Sequence, residues 1–258
     1  MAVYLAILLC DVTNRRLLLV FGGGCARSSI ALIGSGKTGQ RVTGNVVGSA
    51  IDLILTRHSV RGGFDARPVP TGALELIVRC ALAAPSSKNA QPWRFHVVRD
   101  QKALEAIADA VRDAEDASTY VPHDPRTGAP YPQYVSTVVE SAGALAEVSA
   151  AIFVENRGVF SGGRTTLARA TPEALNGSLT GYGLELVGLG AAVENMWLAA
   201  HALGLAAAFM GDVVVAENAI QQRLSFTGDL IGVLALGYVG TDPNMPPVPK
   251  AEGLVVWH

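Results

Sequence analysis

The stretch Pro85-Ser86-Ser87-Lys88-Asn89-Ala90-Gln91-Pro92-Trp93-Arg94-Phe95 is polar, bounded by prolines and set between two strongly patterned apolar segments. Ahead of it, Leu74, Ile77, Val78, Ala81 and Leu82 recur at helical spacing within Thr71 to Ala84, with Thr71 in the place of an N-cap. Pro68-Val69-Pro70 keeps a helix from starting sooner. Behind it, Arg94 to Val98 reads as a short strand stopped by Arg99-Asp100. A helix therefore ends at Pro85, a loop follows, and a strand carries the chain back into the core. Between Ser86 and Gln91 the loop offers two hydroxyls and two carboxamides besides its backbone N–H groups. That donor and acceptor set suits a planar, heteroatom-rich ligand better than a metal or a nucleophilic reaction. The alternative is a loop that only caps its own helix and bonds its own backbone.

Upstream, Ile51 to Leu55 reads as a short apolar helix leading into Arg57-His58-Ser59-Val60-Arg61. Two guanidinium groups and a hydroxyl this close make a good phosphate cradle, because arginine gives bidentate donors that are always charged. A solvated basic turn is the other reading of the same residues. Gly62-Gly63-Phe64 then turns the chain toward the helix before the loop. An Arg-x-Ser-x-Arg cluster, one amphipathic helix and then Pro-Ser-Ser-x-Asn-x-Gln-Pro-Trp are two motifs coupled at a fixed spacing. Together they resemble the FMN-dependent nitroreductase family, and the resemblance covers about residues 51 to 258.

The resemblance implies an α+β fold, a mixed β-sheet flanked by helices, and a homodimer with two FMN sites between subunits. In that scheme Arg57, His58, Ser59 and Arg61 hold the phosphate end of FMN. Lys250, which follows the proline-rich Asp242 to Pro249, matches the family's C-terminal basic residue on the same phosphate. The Pro85 to Asn89 loop, with Pro85, Ser86, Ser87 and Asn89, comes from the other subunit, and Gln91 is a further cofactor-binding residue. Met210 and Gly211 lie beside the flavin ring, where a glycine lets the backbone approach closely. The family often has an acidic residue where Met210 stands. Its usual Asn and basic residue before the strand at Ser149 to Val154 have no clear counterpart around Ala144, Leu145 and Ala146.

The chain has 258 residues, 50% hydrophobic and 16% charged, with net charge −2. That is enough for one large core. It supplies no basic field for nucleic acid. Cys10, Cys25 and Cys80 are far apart and odd in number, which argues against a disulfide framework and fits a reducing, cytoplasmic setting. The five histidines show no metal-ligand spacing.

Residues 1 to 50 read as an extension outside the core, and 51 to 258 as the FMN-binding domain. Met1 to Cys10 and Leu17 to Phe21 are apolar around a polar Asp11 to Arg16, the pattern of two short strands joined near Thr13-Asn14. Neither run reaches the roughly 20 residues that span a bilayer, and no basic start marks a signal peptide. Gly34-Ser35-Gly36-Lys37-Thr38 resembles a phosphate-binding loop, but the glycine that motif needs five residues before its Gly-Lys is Ala31 here. A Gly/Ser-rich linker is the better reading.

Further on, Asp100 has the place of an N-cap for a helix with Leu104, Ile107, Ala108 and Val111 on its apolar face. Residues 113 to 136 read as an irregular surface segment, Ser149 to Val154 as a buried strand, and Glu155 to Asn176 as loop. Leu184 to Leu203 is apolar nearly all round, the mark of a buried helix. It resembles the helix at the family's dimer interface. Its polar Glu194, Asn195 and His201 read as satisfied core or interface groups. Ala206 to Met210 and Leu230 to Tyr238 read as strands.

No residue pair reads as a dedicated acid–base couple. The resemblance implies an oxidoreductase, a flavoprotein passing hydride from NADH or NADPH through FMN to a nitroaromatic, quinone or similar small-molecule electron acceptor by ping-pong turnover. The same scaffold also serves flavin-dependent oxidases and dehydrogenases. A non-catalytic flavin-binding protein, or a homologue without FMN, are the readings from other classes.

Overall fold

The computed structural model describes residues 6–11, 16–21, 46–124, 127–132, 136–240 and 253–257, with side chains from Ala50 onward. They divide into two compact units, one ending at Thr56 and the other beginning at Arg57. In the first, β1 (Ala6–Asp11) pairs antiparallel with β2 (Arg16–Phe21), the two strands expected there. The turn at Thr13-Asn14 and the Gly-rich run around Lys37 lie outside the described residues. The helix α1 spans Val46–Thr56, longer than the apolar Ile51 to Leu55.

The second unit runs β3 (Phe64–Asp65), α2 (Thr71–Leu82), β4 (Trp93–Val98), α3 (Gln101–Arg112), α4 (Thr137–Glu147), β5 (Ala150–Asn156), α5 (Arg164–Leu167), α6 (Pro172–Ala202), β6 (Ala206–Met210), α7 (Glu217–Leu224) and β7 (Asp229–Val239). The sheet has the order β3-β7-β5-β4, and β6 pairs with β7 as well. One edge of β7 carries β5 along Asp229 to Leu236. The other carries β6 along Val233 to Gly237 and β3 at Tyr238 and Val239. This is an α+β fold with a helix-flanked sheet. Every described pairing in it is antiparallel, so a parallel component of the expected mixed sheet is not among the described residues.

Side-chain alternation along β5 sorts the core into two halves. Ala151 and Phe153 join α3, α4 and α7 on one face, with Ala208, Met210 and Val233. Ala150, Ile152 and Val154 join α2 and α6 on the other, with Ala207, Leu234 and Leu236. Helices cover both faces, so β5 is buried from end to end.

Three expectations change. Thr71 is the first helical residue rather than the cap. Pro70 holds the cap position, and the Thr71 hydroxyl accepts from Arg99 Nη1 at 2.7 Å. Much of Glu155 to Asn176 is regular: β5 continues to Asn156, and α6 begins at Pro172. Thr171 caps that helix by accepting from Ala174 N, with proline at its first turn. Gly177, Gly181 and Gly183 break the apolar period there, which hides a 31-residue helix from a pattern reading. Finally, α6 is not covered all round in the single chain, where Val187 is 74% exposed and Leu184 43%.

Candidate functional site

Arg57 leaves the first motif and reaches back to α6. Its guanidinium carbon sits 4.3 Å from the centre of the Trp197 ring. Its Nε is 3.3 Å from Glu194 Oε1, yet Nε and Nη1 are buried without a hydrogen-bond partner. Buried donors in that state await an acceptor. The next residue, His58, meets His201 edge to face at 6.0 Å between ring centres. Val60 N donates to Ala207 O at 3.0 Å, which lays the motif alongside β6. Ser59 is half-buried and Arg61 exposed. A cleft of about 370 Å³ opens here, lined by His58, Val60, Arg67, Trp197, His201 and Tyr238 among others. Arg67 is already engaged, for it grips Asp65 through two nitrogens and lies 4.6 Å from the Tyr238 ring centre. That grip holds the Asp65 carboxyl below its ordinary pKa.

The loop of the second motif folds partly on itself. Ser87–Asn89 forms a short 3₁₀ turn, and Lys88, Asn89 and Gln91 all take positive φ. Gln91 N donates to the Ser86 hydroxyl at 3.0 Å, and Gln91 Nε2 to Asn89 Oδ1 at 3.2 Å. Pro85, Asn89 and Gln91 stay exposed, while Ser86 and Ser87 are half-buried. The loop packs on α6 at Gly188, where an added Cβ would come within 3.3 Å of Ser86 Cβ. Arg57 meets the same helix near Trp197, roughly 13 Å further along at 1.5 Å per residue. Within one chain the two motifs thus attach to α6 at separate levels.

At the end of β6, Met210 turns its side chain into the core, leaving only its backbone for a ligand. Gly211 has an ordinary φ of −82°, and a Cβ there would meet nothing within 4 Å. The chain itself does not demand glycine at this point. Lys250 lies outside the described residues.

Two buried carboxylates lie elsewhere. Glu185 of α6 accepts from Phe160 N, Ser161 N, Ser161 Oγ and Asn156 Nδ2 at 2.6–2.9 Å. Burial pushes its pKa up, but these four bonds outweigh burial and hold it below the ordinary value. Glu155 sits opposite Arg94 across β4 and β5, 2.9 Å from His96 Nε2, and accepts from Gly228 N at 2.9 Å. Sequence reading missed this histidine–carboxylate pair, which strand register assembles. Gly228 is required beside it, since a Cβ there would lie 2.3 Å from Asn156 O.

Asn195 is satisfied, donating to Cys80 O at 3.1 Å. Trp197 and Glu194 are the residues around Arg57 that the motifs did not announce. The one available signal was a tryptophan in a helix otherwise rich in small residues.

The fold and this arginine-bearing cleft narrow the class, and comparison with known proteins specifies it. The nitroreductase family profile matches residues 54–238, and the chain belongs to that family. An NADH dehydrogenase of Thermus thermophilus is 46% identical over 56 residues, which take in 22% of this chain and 27% of that protein. The chain spans 27–34% of the length of the curated relatives it matches. Among solved structures, the NADPH:FMN oxidoreductase of Vibrio harveyi in complex with NAD+ superposes with a TM-score of 0.56 at 17% identity, over 80% of this chain and 76% of that one. An FMN-dependent nitroreductase of Clostridium difficile R20291 superposes at 0.51 and 17%, over 76% and 91%. At such identity the likeness concerns the fold.

Proposed function

We propose that the chain is an FMN-dependent NAD(P)H oxidoreductase, acting as a homodimer on a nitroaromatic, quinone or similar electrophile. The observation that carries this reading is Arg57, whose buried Nε and Nη1 make no hydrogen bond, in the motif that resembles an FMN-phosphate cradle. Arg57, His58, Ser59, Arg61 and Lys250 hold that phosphate. Gly211 and the Met210 backbone face the ring. Pro85, Ser86, Ser87, Asn89 and Gln91 serve the site of a second copy, which their separate attachment to α6 supports. The exposed Leu184 and Val187 give that copy an apolar helix face to cover. Bound FMN supplies two-electron redox chemistry, while the protein binds, orients and sets the local field. The names of the Thermus and Vibrio proteins support a nicotinamide reductant, and a reaction run on it belongs in the cytoplasm.

Reductant and acceptor are both flat and need the same open side at Gly211. They therefore bind in turn, which gives ping-pong kinetics. Initial rates with NADPH and a quinone varied together should give parallel double-reciprocal lines. Intersecting lines would mean a ternary complex and overturn the single shared face.

A further inference from the structure

The Arg57 guanidinium is held from below. Its carbon lies 4.3 Å from the Trp197 ring centre, so the cation rests on the π face. The indole is itself pinned, since Nε1 donates to Ala207 O at 3.3 Å. That carbonyl also accepts from Val60 N at 3.0 Å. One acceptor on β6 thus fixes both the ring under Arg57 and the backbone just beyond it. Glu194, one helical turn before Trp197, draws Arg57 Nε to 3.3 Å without completing a hydrogen bond. A guanidinium held over a ring loses less freedom on binding an anion, because its planar fork is already oriented.

We propose that Trp197 is a positioning residue for phosphate recognition: its ring, pinned through Ala207, holds the Arg57 guanidinium in place for the phosphate of FMN. The inference rests on the FMN reading above. A tryptophan that only fills the 370 Å³ cleft wall would affect every flavin alike. One that works through Arg57 affects only flavins that carry a phosphate.

The test titrates the full-chain apoprotein with FMN and with riboflavin, reading quenching of flavin fluorescence. The ratio of the two Kd values isolates what the phosphate contributes. Trp197→Leu and the longer, unbranched Trp197→Met should lower the preference for FMN roughly 3- to 10-fold and leave riboflavin affinity in place. Trp197→Phe, which keeps a π face, should retain most of the preference. In an Arg57→Ala background, Trp197→Leu should lower it no further. An unchanged preference in Trp197→Leu, an equal loss for both flavins, or the same loss without Arg57 overturns the inference. A wild-type protein that binds riboflavin as tightly as FMN overturns the phosphate reading together with it. A wild-type preference that survives Trp197→Leu overturns the role of Trp197 alone.

Discussion

Arg57 has two buried donors that make no hydrogen bond, although Glu194 Oε1 lies 3.3 Å from Nε, a state that costs free energy. Replacing it with alanine removes a charged hydrogen bond worth about 1.5–3 kcal/mol, so FMN affinity should fall roughly tenfold or more. Lys250→Ala should do the same if both residues reach the phosphate. Titration of apoprotein checks both, and unchanged FMN affinity in the two variants would discard the cradle. Glu185 gives a second prediction at this scale. Its folded pKa lies below the ordinary 4.5, so its stabilisation is complete above that pH and is lost as the pH falls below it. Glu185→Gln sets an N–H among the donors that served the carboxylate and should cost about 1–3 kcal/mol at neutral pH. Urea unfolding should show that difference shrinking below pH 4.5. An equal difference at both pH values would mean that the carboxylate charge does not matter. The motif alone suggested an anion ligand at Arg57, the role proposed for it above. Trp197 and Glu194 were not legible as its partners, because only the return of α6 against the motif brings them together.

Elements were legible where burial is one-sided. α3 has one apolar stripe, and the four residues read as its core face are the four buried, with Asp100 capping through Lys102 N at 3.0 Å. α6 was legible only in its C-terminal half. Small and polar residues in the first half carry no period, and only the Thr171-Pro172-Glu173 start signal marked where it begins. The loop was read correctly as irregular, but its positive φ angles at Lys88, Asn89 and Gln91 carry no glycine to announce them. Two predictions belong here. Val187→Glu, at the most exposed large apolar position of α6, should convert the proposed dimer to monomer in sedimentation. A dimer of unchanged strength would move the interface off this face. Gly188→Val should push on Ser86, costing about 1–3 kcal/mol in thermal or urea unfolding. Full stability would mean the loop yields freely.

For the molecule as a whole, the α+β class followed from the family resemblance that the two coupled motifs carry. The antiparallel pairing did not, since register arises from contacts distant in sequence. The family profile begins at residue 54 and the second compact unit at Arg57. We therefore expect a chain starting at Ser49 to fold and bind FMN as the full chain does, with gel filtration and flavin titration as the check. Loss of soluble dimer would make the first unit part of the core. The most direct test of the central claim is the visible spectrum of the purified, FMN-loaded protein before and after anaerobic addition of NADPH. The account predicts flavin bands that bleach on NADPH and return when a quinone is added. A protein that takes up no FMN, or bound flavin bands that NADPH leaves unchanged, would contradict it.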